Sequence, residues 1–169
     1  MPKYVAFLRA INVGGHVVKM DQLKKLFEQM GFTNVETFIA SGNVIFDAKN
    51  ASEKKIEAAL QDALGYEVRT FLRTPAQLAR VAETTLDADG CGLWVGFLAS
   101  KGDAGKLKAL ATANDTFHVD GTELYWVCRH ERFSDSAITG AMLEKALAQK
   151  ATLRNITTIR RIAGKHPAK

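Results

Sequence analysis

Residues 4–16 of this 169-residue chain, YVAFLRAINVGGH, join an apolar stretch to a loop that contains two glycines. The branched and aromatic residues between Tyr4 and Ile11 predict a β-strand. Apolar side chains occupy both faces of that strand, which is typical of a sheet covered on both sides. The chain therefore begins with a buried strand that turns into the helical pattern following it.

The next elements predict the order βαββαβ for residues 1–74. They are a helix at 20–30, strands at 35–40 and 44–46, a helix at 52–64 and a strand at 68–72. Gly31 stops the first helix, and Ser41-Gly42-Asn43 predicts a hairpin turn between the two middle strands. This order is the split βαβ arrangement of ferredoxin-like folds.

The pattern restarts after a helix at 75–84 and a linker. Predicted strands at 93–99, 115–119 and 123–128 alternate with helices at 104–113 and 137–149, and Asp120-Gly121 marks a hairpin. Thr152 predicts the cap of a last helix, which replaces a fourth strand. We predict an α+β fold of two ferredoxin-like (βαββα-type) subdomains in tandem plus a C-terminal helix. The boundaries are 1–74, a connecting segment 75–90, 91–150, and a basic helix and tail 151–169.

The net charge of +5 is concentrated near the C-terminus. Residues 150–169 contain six basic and no acidic residues, whereas the preceding residues contain 17 basic and 18 acidic ones. A basic segment of this kind favours an anionic partner such as nucleic acid. A solvated helix face with a frayed tail is the alternative.

Composition predicts a cytoplasmic protein. No apolar run approaches the roughly 18 residues that a membrane span needs, and the first residues lack a signal-peptide pattern. Cys91 and Cys128 are isolated in the sequence, which predicts neither a disulfide framework nor a zinc site. No cofactor or metal is predicted, and no catalytic motif is present.

Three clusters of residues are candidates for ligand binding. In the first, Gly14 and Gly15 allow backbone N–H groups to converge on an anion, with Arg9, Asn12 and Lys19 beside them. The second is Ser41 with Asn43, and the third is Arg154 with Asn155 at the predicted start of the last helix. Turn formation and helix capping explain the same residue types without a ligand.

At these clusters the chain resembles a bacterial family of unknown function, DUF1697. Family members carry R-G-I-N-V-G-G, S-G-N-V-[VI]-F, S-K-L-T-N and A-T-x-R-N-W-N-T, which correspond here to residues 9–15, 41–46, 136–140 and 151–158. The chain departs from these motifs at Ala10, Ala137, Gly140, Ile156 and Thr157. The resemblance implies two ferredoxin-like subdomains and no particular reaction.

We therefore expect a small anionic or nucleotide-like ligand in a cleft between the two halves. Nucleic-acid binding through residues 150–169 is one alternative. An interaction or scaffold module without a ligand is another. The sequence predicts neither the oligomeric state nor whether the protein is an enzyme.

Overall fold

The computed structural model describes residues 1–9, 18–38, 42–86 and 92–168. Its contacts divide the chain into two compact units. Unit 1 comprises Met1–Leu78 with His166–Lys169, and unit 2 comprises Ala79–Lys165.

Unit 1 contains a four-stranded sheet in the order β2-β3-β1-β4, in which every neighbouring pair is antiparallel. Its elements are β1 (Lys3–Leu8), α1 (Met20–Gln29), β2 (Thr33–Thr37), β3 (Asn43–Asp47), α2 (Glu53–Leu64) and β4 (Thr70–Arg73). The helix α3 (Pro75–Ala82) follows. The βαββαβ order predicted for this part of the chain is confirmed.

Both faces of the unit 1 sheet are buried, as the apolar pattern of β1 predicts. On one face, Leu23 and Phe27 of α1 pack with Phe46 in a hydrophobic core to which α2 contributes Leu60. On the other face, Val5, Phe7 and Ile45 are also buried, among other residues. Each such side chain contributes roughly 1.5–3 kcal/mol when it is removed from water.

Unit 2 contains a second antiparallel sheet, in the order β6-β7-β5-β8. Its elements are β5 (Gly92–Leu98), a 3₁₀ helix (Ala104–Leu110), β6 (Asp115–Asp120), β7 (Glu123–Cys128), a 3₁₀ turn (Phe133–Asp135), α4 (Gly140–Leu147), β8 (Ala151–Asn155) and α5 (Ile156–Lys165). The predicted hairpin is confirmed. Its two-residue loop is Gly121-Thr122, and Gly121 adopts φ 61°, which glycine tolerates without strain.

The prediction that a helix begins at Thr152 is wrong. Residues 151–155 form β8, the fourth strand of the sheet, and α5 begins at Ile156. Thr152 pairs with Phe97 of β5, so its backbone continues the sheet instead of capping a helix. Threonine suits both positions, and only the neighbouring strand decides between them. The helix predicted at 104–113 is a shorter 3₁₀ helix, and α4 begins after its cap Thr139 instead of at Ala137.

The two units repeat the same register. Arg73 lies opposite Val5 in unit 1, and Arg154 lies opposite Val95 in unit 2. Both arginines are buried, and each donates from Nη1 to the carbonyl of the preceding residue, at 2.8 and 3.0 Å. The repeat therefore extends to individual side chains.

The same correspondence holds at the outer edges of β4 and β8. Glu57 of α2 accepts a hydrogen bond from the Thr70 N–H at 2.8 Å, and Glu144 of α4 accepts one from the Ala151 N–H at 2.8 Å. Thr70 lies opposite Leu8, and Ala151 lies opposite Leu98, at corresponding positions of the two sheets. In each unit, a helix carboxylate thus covers an edge strand that would otherwise present a free N–H group.

Candidate functional site

The structure brings Arg9 and Asn43 to the same end of the unit 1 sheet. Asn43 of β3 lies directly opposite Phe7 of β1, and the Leu8 N–H donates to the Gly42 carbonyl at 2.9 Å. Asn43 is fully buried and its side-chain amide donates to the Phe38 carbonyl at 2.8 Å, which is a turn-forming role. Arg9 is partly buried just after β1.

The remaining candidates of unit 1 are not all described. Lys19 is exposed and occupies the N-cap position of α1 without a side-chain capping bond. Asn12, Gly14, Gly15 and Ser41 lie outside the described residues. The anion site predicted around the glycine loop therefore stays a prediction.

Arg154 and Asn155 differ from their predicted setting, because they belong to a strand. Arg154 is buried and donates to Thr152 Oγ1 at 2.6 Å, and burial lowers its pKa to about 10. At neutral pH the side chain remains charged. Asn155 ends β8, and its side-chain oxygen accepts from the Thr157 N–H at 2.9 Å. Its local role is thus to start α5.

A cavity of about 390 Å³ lies in unit 2 beside the edge strand β6, and we call it the basic cavity. Its polar lining consists of Lys108, Thr116, His118 and Arg129, and its apolar lining consists of Ala104, Leu107, Ala111 and Phe117. Among the residues that the structure describes, no acidic one lines it. Because three lining side chains are basic or able to carry a proton, the cavity suits a negatively charged group.

The basic side chains of this cavity are accessible. Lys108, His118 and Arg129 are all exposed, and the Arg129 Nη1 donates to Thr116 Oγ1 at 3.4 Å. Among the described residues, no ion pair involves any of the three. Their charges are therefore available to a ligand.

A second cavity of about 220 Å³ shares His118 with the basic cavity. Its lining combines charges of both signs, from Arg80, Glu83 and Asp120, with the side chain of Tyr125. Burial raises the pKa of Tyr125 to about 12, with smaller contributions from nearby Glu123 and Asp120. The hydroxyl therefore stays protonated at neutral pH, and this cavity has no preference for one sign of charge.

A buried carboxylate holds the end of the β6–β7 hairpin in place. Asp115 Oδ2 accepts from Thr112 Oγ1 and is 2.8 Å from His130 Nε2, while Oδ1 accepts from Trp126 Nε1 and Ser136 Oγ. Burial opposes ionisation, but these four hydrogen bonds outweigh it and hold the pKa of Asp115 below its usual range. Since Ser136 contacts the carboxylate and not the imidazole, the group does not have the arrangement of a nucleophilic triad.

Sequence reasoning missed the basic cavity. Lys108, His118 and Arg129 are 10 and 11 positions apart and form no motif. They converge because the 3₁₀ helix packs beside β6 and the hairpin returns Arg129 to the start of that strand, where its N–H donates to the Asn114 carbonyl at 2.7 Å. The sequence can point to an anion site only where basic residues lie close together along the chain. Lys108, His118 and Arg129 do not, so no sequence pattern indicates the basic cavity.

Cys128 corrects the expectation about cysteines. It is buried at the end of β7 and is disulfide-bonded, so the prediction of no disulfide is wrong for this residue. The other cysteine, Cys91, lies outside the described residues.

Metal and membrane features are absent from the described part of the chain. Within residues 1–9, 18–38, 42–86 and 92–168, no group of three or more His, Cys, Asp or Glu side chains could hold a metal ion. None of the described helices has the length and apolarity to cross a lipid bilayer. A cytoplasmic location stays a prediction.

These observations define an α+β protein with two four-stranded antiparallel sheets and several helices. The chain belongs to a protein family of unknown function, DUF1697, whose family model matches residues 1–125. The matched part includes the two N-terminal motifs, while the C-terminal ones at 136–140 and 151–158 lie beyond it.

One solved structure supports the fold over almost the entire chain. The conserved bacterial protein SP0830 from Streptococcus pneumoniae is similar with a TM-score of 0.76 and 20% sequence identity, over 98% of each chain. At this level of identity the similarity shows the fold alone. No curated protein matches the chain.

Proposed function

We propose that this protein binds a small anionic ligand that carries an apolar or aromatic group, in the basic cavity of unit 2. The observation that supports this function is the lining of the cavity, which combines Lys108, His118 and Arg129 with an apolar wall and, within the described part of the chain, no acidic residue. A volume of about 390 Å³ is within the usual range of roughly 300–1,000 Å³ for ligand sites.

Each group in the cavity has a chemical role in this proposal. Arg129 offers the planar fork that binds carboxylate or phosphate oxygens in pairs, and Lys108 adds a mobile ammonium group. His118 donates at least one N–H. The ring of Phe117 and the side chains of Ala104 and Ala111 receive the apolar part of the ligand.

Isothermal titration calorimetry with phenyl phosphate and with inorganic phosphate tests the function on the full chain. We expect phenyl phosphate to bind more tightly, because only it reaches the apolar wall. Arg129→Ala should weaken binding about tenfold, since charged hydrogen bonds contribute about 1.5–3 kcal/mol.

Arg132→Ala is the matched control, because Arg132 lies three positions along the chain, is exposed and does not line the cavity. It should bind phenyl phosphate as the wild type does. The proposal fails if neither anion binds, or if the two arginine variants lose affinity equally.

We further propose that each unit is a ferredoxin-like subdomain, with boundaries near 74 and 90. The boundary predicted at 150 is not kept, because β8 (Ala151–Asn155) is the fourth strand of the second sheet. Support comes from the βαββαβ order of unit 1 and from the shared strand order of the two sheets. Circular dichroism and unfolding of residues 1–90 expressed alone test this: a cooperative transition is expected, and its absence contradicts it.

Nucleic-acid binding through residues 150–169 stays a prediction that the geometry does not favour. Arg154 is buried, and the Arg160 side chain donates to the carbonyls of Ala82 and Thr84 at 3.2 and 3.0 Å. Both side chains are therefore engaged within unit 2. A scaffold role without a ligand is the outcome if no anion binds.

A further inference from the structure

The four edge strands of the two sheets are β2, β4, β6 and β8, and they differ in how they are protected. Helix carboxylates accept outward N–H groups of β4 and β8. The register of β2 is irregular between Thr33 and Glu36. In contrast, β6 pairs regularly with β7 over all of its residues, from Asp115 to Asp120. A regular edge that leaves outward backbone groups unpaired is a template for a further strand.

The register of the hairpin decides which groups of β6 face outward. Its two-residue loop makes Asp120 and Glu123 a hydrogen-bonded pair, and such pairs recur at every second residue. Phe117 therefore belongs to a non-hydrogen-bonded pair with Trp126, and its N–H and C=O point away from β7. Among the described residues, neither group makes a hydrogen bond.

At the start of β6, a residue in a non-hydrogen-bonded pair with β7 does form hydrogen bonds on the outward side of the strand. Asp115 occupies the equivalent alternate position, two residues before Phe117. Its N–H donates to Thr112 Oγ1 at 2.9 Å, and its carbonyl accepts from the Thr112 N–H at 2.8 Å. The chain before β6 thus satisfies the first outward pair and leaves the second, at Phe117, beside the basic cavity.

The position of the basic cavity determines the direction in which an added strand would run along β6. Arg129 lies at the start of β6, opposite Asn114, whereas His118 lies near its other end. An anionic group held by Arg129 would therefore be at the N-terminal end of β6. A strand that ends in this group runs antiparallel to β6, and an antiparallel partner exchanges both hydrogen bonds with Phe117.

We infer that the ligand of the basic cavity is an extended peptide with a free C-terminal carboxylate, which adds to β6 as an antiparallel strand. The inference rests on the proposed anion-binding function and names the ligand class. Arg129 and Lys108 hold the carboxylate, and Phe117 pairs with the peptide backbone. Ala104 and Ala111 receive an apolar side chain. Edge addition with carboxylate capture is an established form of peptide recognition.

Calorimetry with the full chain and one peptide series tests the inference. The parent is N-acetyl-Ala-Val-Ala-Val with a free carboxylate, and a second peptide carries a C-terminal amide. Two further peptides are N-methylated at both alanines or at both valines. In an added strand only one alternate set of N–H groups faces β6. We expect one methylated peptide to lose at least about tenfold in affinity and the other to lose much less.

Two protein variants complete the test. Lys108→Ala should weaken the free acid about tenfold and leave the amide nearly unchanged. Lys106→Ala is the control, because Lys106 is exposed on the same 3₁₀ helix and does not line the cavity.

The outcomes separate the inference from the function on which it rests. If phenyl phosphate binds but the free acid does not, or if both methylated peptides bind like the parent, the peptide is the wrong ligand class and anion binding stands. Equal losses for the two methylated peptides also overturn strand addition. If neither phenyl phosphate nor the free acid binds, both proposals fail.

Discussion

Unit 1 and unit 2 share strand order and register but differ in the helical element beside their second strand. In unit 1, the ten-residue α1 packs beside β2 through the buried Leu23 and Phe27. In unit 2, the seven-residue 3₁₀ helix packs beside β6, with Leu107 as its buried residue. The basic cavity lies along this shorter element. The comparison teaches that a repeated frame acquires a distinct cavity where one covering helix is reduced.

The largest expected effect comes from the buried leucines of these two elements. Leu23→Ala and Leu107→Ala should each lower the free energy of unfolding by about 3–4 kcal/mol, from lost burial and the remaining cavity. Urea unfolding at neutral pH measures both.

Only Leu107→Ala should also weaken phenyl phosphate binding, because the 3₁₀ helix forms one wall of the basic cavity. If Leu23→Ala weakens binding as much as Leu107→Ala, the difference between the units is not the origin of the site.

The next effect compares a fully buried carboxylate, that of Asp115, with the partly exposed carboxylate of Asp47. Asp115→Asn should destabilise the protein by about 2–3 kcal/mol, because four donors lose a charged acceptor in a buried position. Asp47→Asn, which affects hydrogen bonds from Lys3 and Asn34, should lower stability by less than about 1 kcal/mol. Equal losses in urea unfolding would contradict the different burial of the two sites.

Asp115 should also make the free energy of unfolding depend on pH. Its pKa is lower in the folded protein than the usual value of about 3.9, so its contribution is present above that pH and is lost as pH falls through the folded-state pKa. Asp115→Asn should therefore show a shallower decline of stability below about pH 4. Unfolding monitored between pH 6 and about pH 2.5 measures the slope, and parallel curves for both proteins would count against it.

The smallest effect tests the similarity of the units. Glu57→Ala and Glu144→Ala each remove the acceptor of one edge N–H, and each should lower stability by about 1 kcal/mol. Values within about 0.5 kcal/mol of each other would support equivalent roles. A loss confined to one variant shows that the edge protection is not shared.

Local sequence patterns predicted most elements because their causes are local. The Asp120-Gly121 hairpin follows from turn chemistry, and α1 follows from apolar spacing that ends at Gly31. The prediction failed at Thr152, whose pairing with Phe97 links residues far apart in the chain. The length of the 3₁₀ helix was also missed, because apolar spacing does not separate it from a short α-helix.

The candidate site was less predictable than the fold. The predicted groups Asn43 and Arg154 are buried and bonded within their own units. In contrast, the residues of the basic cavity are isolated in sequence and carry no signature.

The sequence alone determined the α+β class, the order of elements in the first half and the hairpin at Asp120-Gly121, because periodicity and turn residues act over a few positions. Only the tertiary structure decided that residues 151–155 form a strand, that Arg154 is buried and that Lys108, His118 and Arg129 converge. The physical reason is the same in each case. Strand pairing and the packing of the 3₁₀ helix against β6 join residues whose separation along the chain contains no information about their distance in space.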